Sequence, residues 1–209
     1  AASDVYKRQA YIRATKGTTF EDGAFRDNWN GSKDTDISVG AYHVLELDTD
    51  GTKQAEHFIN AVGEDLSGRL IPAVEVRLRG LYRLLPPDYY EAADNLADFC
   101  DRIEKQYGVR PVIYCTERTY KNIVASDSRF NKDKIWYESL FSKPDKDMDW
   151  TFWTYTNRVK FSFYESGEYL HMTVFNGSED DFKKLITVSY TDLRAHETLA
   201  NLVCRLLLE

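Results

Sequence analysis

Hydrophobic and polar positions along the chain switch repeatedly between a strand period and a helix period. Residues 11–14, Tyr-Ile-Arg-Ala, read as a short strand closed by the loop 15–19, and a helix follows with Phe25, Trp29 and Lys33 spaced at four. Residues 39–44 make the next strand. After the turn Asp48-Thr49-Asp50-Gly51, the residues Ala55, Phe58, Ile59 and Val62 mark one face of a helix. Residues 71–77 then read as a buried parallel strand, apolar along its length and polar only at its far end. The longest helix starts at Pro86-Pro87-Asp88, with Asp88 placed to cap it. Its buried stripe is Ala92, Leu96, Phe99, Cys100, Ile103 and Tyr107, and Gly108 ends it. Strands over 111–115 and 135–138 flank a short helix that opens at Thr116 or Glu117 and runs through Val124. From Trp150 the pattern changes: residues 150–155, 159–163 and 170–175 read as strands without long helices between them, and a last helix covers 179–186.

Repeated strand–helix units imply a parallel sheet with helices outside it, and the all-strand end suggests a barrel that closes irregularly. In such folds the carboxyl ends of the strands are where chemistry is done. Glu75 and Arg77, at that end of the central strand, are two residues apart and point to one face.

Composition narrows the classes. A 209-residue chain that is 43% hydrophobic supports one sizeable core. Its net charge of −7 argues against a nucleic-acid binder, and no apolar run is long enough to span a membrane. Cys100, Cys115 and Cys204 are odd in number and lack CxxC spacing, so they read as small buried hydrophobes. No histidine pair has metal-ligand spacing with a carboxylate, which predicts no metal and no cofactor. Aromatics make up 14% of the chain, as a large core or a sugar-binding groove would require.

Several segments, in order, carry a family resemblance: residues 11–19 (YIRATKGTT), Asn28-Trp29, 39–43 (VGAYH), 54–58 (QAEHF), 71–74 (IPAV), 110–114 (RPVIY), 150–156 (WTFWTYT) and 174–177 (VFNG). Together they resemble the glycoside hydrolase family 25 lysozymes over residues 10–186. The resemblance implies an irregular TIM-type α/β barrel, cleavage of the peptidoglycan glycan backbone, a monomer, and an extracellular or wall-associated setting. Residues 1–9 and 187–209 resemble translated adapter or vector sequence, so both read as non-native flanks of one barrel domain. The family's first strand would then be missing.

The family's site has four acidic positions: one ending the first strand, an Asp-x-Glu pair ending the central strand, and an Asp in the last strand. Here Glu75 stands at the Asp position of the pair and Arg77 at that of the general-acid Glu. His171 stands at the last Asp, with Thr173 where an Asn is usual. Asp4-Val5 looks like the family's opening Asp-Val, but the spacing forbids that assignment. Glycoside hydrolysis usually needs two carboxyl groups, one of them protonated. Arg77 beside Glu75 predicts an ion pair in which Glu75 is a poor proton donor. Glu46, Glu117 and Glu138, at other strand ends, are the candidates for a replacement acid, and the alternative for each is a loop or helix-cap residue. Asp145, Asp147 and Asp149 read as a solvated loop or a subsite rim. His171 is an acid–base candidate by its residue type. Tyr42, His43, Tyr137, Trp153 and Tyr155 are the substrate-binding candidates, against core packing for each. Three readings follow: an active muramidase with a rewired acid, a glycan binder without hydrolysis, or a gene fragment without function.

Overall fold

The computed structural model describes residues 9–159 and 170–187. Eight strands form one curled sheet in the order β2-β1-β3-β4-β5-β6-β7-β8. They are β1 (Gln9–Lys16), β2 (Phe20–Glu21), β3 (Ser38–Val44), β4 (Ala73–Val76), β5 (Val112–Thr116), β6 (Ile135–Glu138), β7 (Phe152–Val159) and β8 (Leu170–Phe175). From β1 through β3 to β7 all pairings are parallel, while β2 and β8 join their neighbours antiparallel. Among the described residues β1 and β8 do not pair with each other, so the barrel is open. The expected α/β barrel is therefore present as a curled, unclosed sheet.

Helices α1 (Phe25–Gly31), α2 (Gly51–Val62), α3 (Tyr89–Tyr107) and the short α4 (Glu117–Thr119) connect the strands. The last of these continues as a π-helical turn over Tyr120–Val124. Asp88 caps α3 by accepting from the Tyr90 N–H at 2.8 Å, and Gly108 ends it in the left-handed conformation at φ 72°. The central strand, which carries Glu75, is shorter than its apolar run suggests, because regular pairing covers only Ala73–Val76. Val159 closes β7 rather than opening a further strand. Residues 160–163, residues 1–8 with Asp4-Val5, and most of the 187–209 tail, Cys204 included, lie outside the described residues.

Alternation along each strand divides the core in two. Val74, Val76, Ile113, Cys115, Ile135 and Tyr137 face the helix layer and pack with Phe58, Leu96 and Phe99. Ala73, Val112 and Phe152 face the barrel interior, joined there by Tyr11, Tyr42 and Trp136. Helix α5 (Glu179–Lys183) follows β8, and Phe182 with Leu185 packs on Leu70 and Ile71 in that interior cluster. Gly40 makes room inside: a Cβ there would lie 2.4 Å from the Tyr11 ring, whose hydroxyl donates to the Ile71 carbonyl at 3.0 Å. The floor of the barrel is thus aromatic, and its open end is the end where the parallel strands finish.

Candidate active site

Four strand ends converge on one polar cluster. Glu75 is the inward residue at the end of β4 and is buried. One step beyond, Arg77 turns back over it with Nε 2.8 Å from Glu75 Oε1. That N–H is not aimed at the oxygen, so the contact is ionic rather than a hydrogen bond. Arg79 adds a second guanidinium, Nη2 donating to the same Oε1 at 2.7 Å. From the end of β6 the buried Glu138 accepts from Arg77 Nη2, and also from the Tyr114 hydroxyl of β5. His171 of β8, 46% exposed, stands 3.9 Å from the same Glu138 oxygen.

The electrostatics follow from that packing. Burial works against the Arg77 charge, but Tyr114, Glu138 and Glu75 outweigh it, so the guanidinium is held protonated more firmly than a free one. Burial, then the neighbouring Glu138, pushes the Tyr114 hydroxyl well above its ordinary range, which leaves it a donor. Tyr42 is raised by burial and by Glu75. The cluster as a whole sets two carboxylates against two guanidinium groups, and every member touches a partner of opposite sign.

Below the cluster an open cavity of about 550 Å³ is lined by Tyr11, Tyr42, Tyr114, Trp136, Phe152 and His171, among others. The interior side chains are braced by Trp136 Nε1 donating to Thr154 Oγ1 at 2.8 Å and by Thr154 bonded to Thr173 at 2.8 Å. A smaller cavity of about 280 Å³ near Trp29 and Arg69 contains none of these carboxylates.

The substrate-binding residues proposed from sequence separate here. Tyr42 lines the cavity. His43 does not: it is fully buried on the opposite face, stacked on Phe99 at 4.9 Å and held by Thr15 at 2.7 Å and Gln54 at 3.2 Å. Burial pushes it down to about 3, so it is a neutral core residue rather than part of the groove. This corrects the expectation, for the simple reason that adjacent strand residues point to opposite faces. Tyr137 packs in the helix-side core against Tyr120 and is raised by burial to about 12. Trp153 donates to the Ser139 carbonyl at 2.9 Å and touches Tyr155, both outside the set that lines the cavity. Tyr11, Tyr114, Trp136 and Phe152 are the cavity aromatics that sequence reasoning missed; their parity with Ala73 and Glu75 on neighbouring strands is the signal that finds them.

Among the candidate replacement acids, Glu46 pairs with Lys16 at 3.3 Å and Glu117 with Lys121 at 2.5 Å. Only Glu138 enters the cluster. Asp145, Asp147 and Asp149 are exposed. Among the described residues no group of His, Cys, Asp and Glu is arranged to hold a metal ion, and no helix is long and apolar enough to cross a membrane.

Comparison with known proteins agrees with this architecture. The family model described as glycosyl hydrolases family 25 matches residues 5–162. A family 25 glycosyl hydrolase from Bacillus anthracis superposes with a TM-score of 0.76 at 31% identity, covering 86% of this chain and 83% of that one. The autolytic lysozyme of Clostridium acetobutylicum is 28% identical over 87% of this chain and 50% of its own length. YegX of Escherichia coli, an uncharacterized protein, is 29% identical over 85% of this chain, which spans 62% of it.

Proposed function

The chain belongs to the glycosyl hydrolases of family 25, and from that premise we propose that its barrel mouth holds the peptidoglycan glycan without cutting it efficiently. The observation that carries this reading is Arg77, gripped between Glu75 and Glu138 at the position where family resemblance expects the general acid. Glycosidic cleavage needs a carboxylic acid that gives its proton to the leaving oxygen. A guanidinium that is always charged cannot do this, and Tyr114 keeps its proton for the reason just given. Both cluster carboxylates are tied up as acceptors.

What remains fits binding. Flat rings of Tyr42, Trp136 and Tyr11 line an open cavity, and hydroxyl-bearing Tyr114 and Thr173 supply polar contacts. Apolar ring faces beside a few fixed polar groups suit the two sides of a sugar ring. The described cleft is lined by residues of one chain, which fits a monomer. A wall polysaccharide as ligand fits an extracellular or wall-associated setting.

Incubation of the purified chain with insoluble peptidoglycan tests the proposal. Co-sedimentation without loss of turbidity is expected; clearing would establish hydrolysis, and failure to sediment would remove the binding reading.

A second reading rests on one observation: Glu75 and Glu138 touch the same guanidinium from two strands, so two carboxyl groups already share the cleft. In that reading Glu138 serves as the rewired acid, and Glu138→Gln would abolish whatever clearing is seen.

A further inference from the structure

Arg69 is a buried guanidinium without a counter-charge. It precedes β4, at the end of the sheet where the parallel strands begin, opposite the mouth. Its guanidinium lies 4.1 Å from the centre of the Trp29 ring, donating through Nη1 to Ser32 Oγ at 2.8 Å and through Nη2 to the Trp29 carbonyl at 2.7 Å. A guanidinium carries five N–H groups, so with two used three are left without an acceptor among the described residues. Two other arginines set the contrast. Arg77 and Arg110 are only half-buried, yet the first meets Glu75 and Glu138, and the second Asp101, Glu104 and Asp133. Arg69, 8% exposed, has no carboxylate within ion-pair distance among the described residues. Burial pulls its pKa below the ordinary arginine range, and no neighbouring charge offsets that. Burying a charge unpaired is costly, and at the wall of a cavity the missing partner can be a ligand.

Arg69 lines the open cavity of about 280 Å³, together with Arg26, Asn30, Lys33 and Asp65 among others. Arg26, Asn30 and Lys33 follow at i, i+4 and i+7 along α1 and the 3-10 turn Ser32–Asp34 that continues it. Arg26 is matched by Glu21 at 2.8 Å. Lys33 is exposed and has no carboxylate partner among the described residues. Asp65 is the one carboxylate in the lining, and it accepts from the Ser67 amide and hydroxyl rather than from either cation. Arg69 and Lys33 against Asp65 leave a surplus of one positive charge. That surplus matches a singly charged anion, and the fork of a guanidinium matches the planar carboxylate. A doubly charged phosphate would set its second charge against Asp65. We propose that this cavity is a binding site for a small carboxylate, gripped by Arg69 and attracted by Lys33. It shares no residue with the mouth cavity and does not rest on the glycan reading.

Calorimetric titration of the full chain with sodium acetate tests this, with ionic strength held constant by sodium chloride. The wild type should bind acetate saturably at one site, and Arg69→Gln should lose that binding. Because Arg69 also braces the end of α1, two substitutions at exposed positions keep the test independent of folding. Lys33→Glu should weaken acetate binding about fivefold with unchanged thermal melting, and Asp65→Asn should tighten it by about the same factor. A purely structural Arg69 predicts neither change. Peptidoglycan retention of Lys33→Glu should stay at the wild-type level, so this proposal and the glycan reading fail separately. Unsaturable heats with acetate, or saturable binding that neither Lys33→Glu nor Asp65→Asn alters, would overturn the proposal. Inorganic phosphate binding as tightly as acetate would overturn the assignment to a carboxylate.

Discussion

Two buried polar networks lie back to back on the central strands, and they solve the same problem differently. On the helix side, Thr15, His43 and Gln54 form a neutral network. The Thr15 hydroxyl donates to His43 Nδ1, His43 Nε2 donates to Gln54 Oε1, and the Gln54 amide reaches the Glu46 and Thr49 carbonyls at 2.9 and 2.7 Å. On the mouth side, Glu75, Arg77, Arg79, Tyr114 and Glu138 form an ionic one. The neutral network is sealed and ties β1, β3 and α2 to one loop. The ionic network faces the cavity, with Arg77 19% exposed, and there water and ligand reach it. Burial without charge builds the scaffold; burial with charge, open on one side, lines the cavity mouth.

The contrast can be broken from either side. Gln54→Ala should have the largest effect, because it orphans His43 Nε2 and the Glu46 amide together and leaves a cavity; a loss of about 3–4 kcal/mol in urea unfolding is expected. Acid should act nearly as strongly through His43. Its folded value near 3 lies below its unfolded value of 6.5, so the unfolded chain takes the extra proton. Its stabilising contribution is therefore complete above pH 6.5 and is lost as pH falls toward 3, on the order of 3 kcal/mol by pH 4. Chemical denaturation at pH 7 and pH 4, compared between wild type and His43→Phe, reads that slope.

On the mouth side, Arg77→Met should cost only roughly 1–3 kcal/mol, since Arg79 still pairs with Glu75 and Tyr114 still serves Glu138. Smaller again is the effect on retention by insoluble peptidoglycan. Tyr42→Ala should weaken it about tenfold, whereas Tyr137→Phe should leave it within about twofold, the first ring being in the cavity and the second in the core.

Much of the scaffold was legible because periods are local. Asp88 and Gly108 bounded α3 where expected, and Glu75 and Arg77 met as their spacing requires. What escaped was parity and adjacency. Tyr42 and His43 were both assigned to the groove, although neighbours in a strand cannot share a face. Strand β6 is apolar on both faces, so its sequence does not say whether Trp136 or Tyr137 looks inward; only its place beside β5 decides. Glu138 could be seen as a strand-end carboxylate. Its meeting with Arg77, 61 residues earlier, depends on the register of two intervening pairings that no single segment encodes.

The central claim is that Arg77 stands in place of the proton donor. Release of reducing ends from purified peptidoglycan measures it most directly, for the wild type and for Arg77→Glu. The substitution sets a new carboxyl between Glu75, still held by Arg79, and Glu138, still held by Tyr114, and like charges so close favour a shared proton. The wild type should release no more than a no-protein control, and Arg77→Glu should release measurably more. Linear release by the wild type, abolished by Glu75→Gln or Glu138→Gln, would contradict the account.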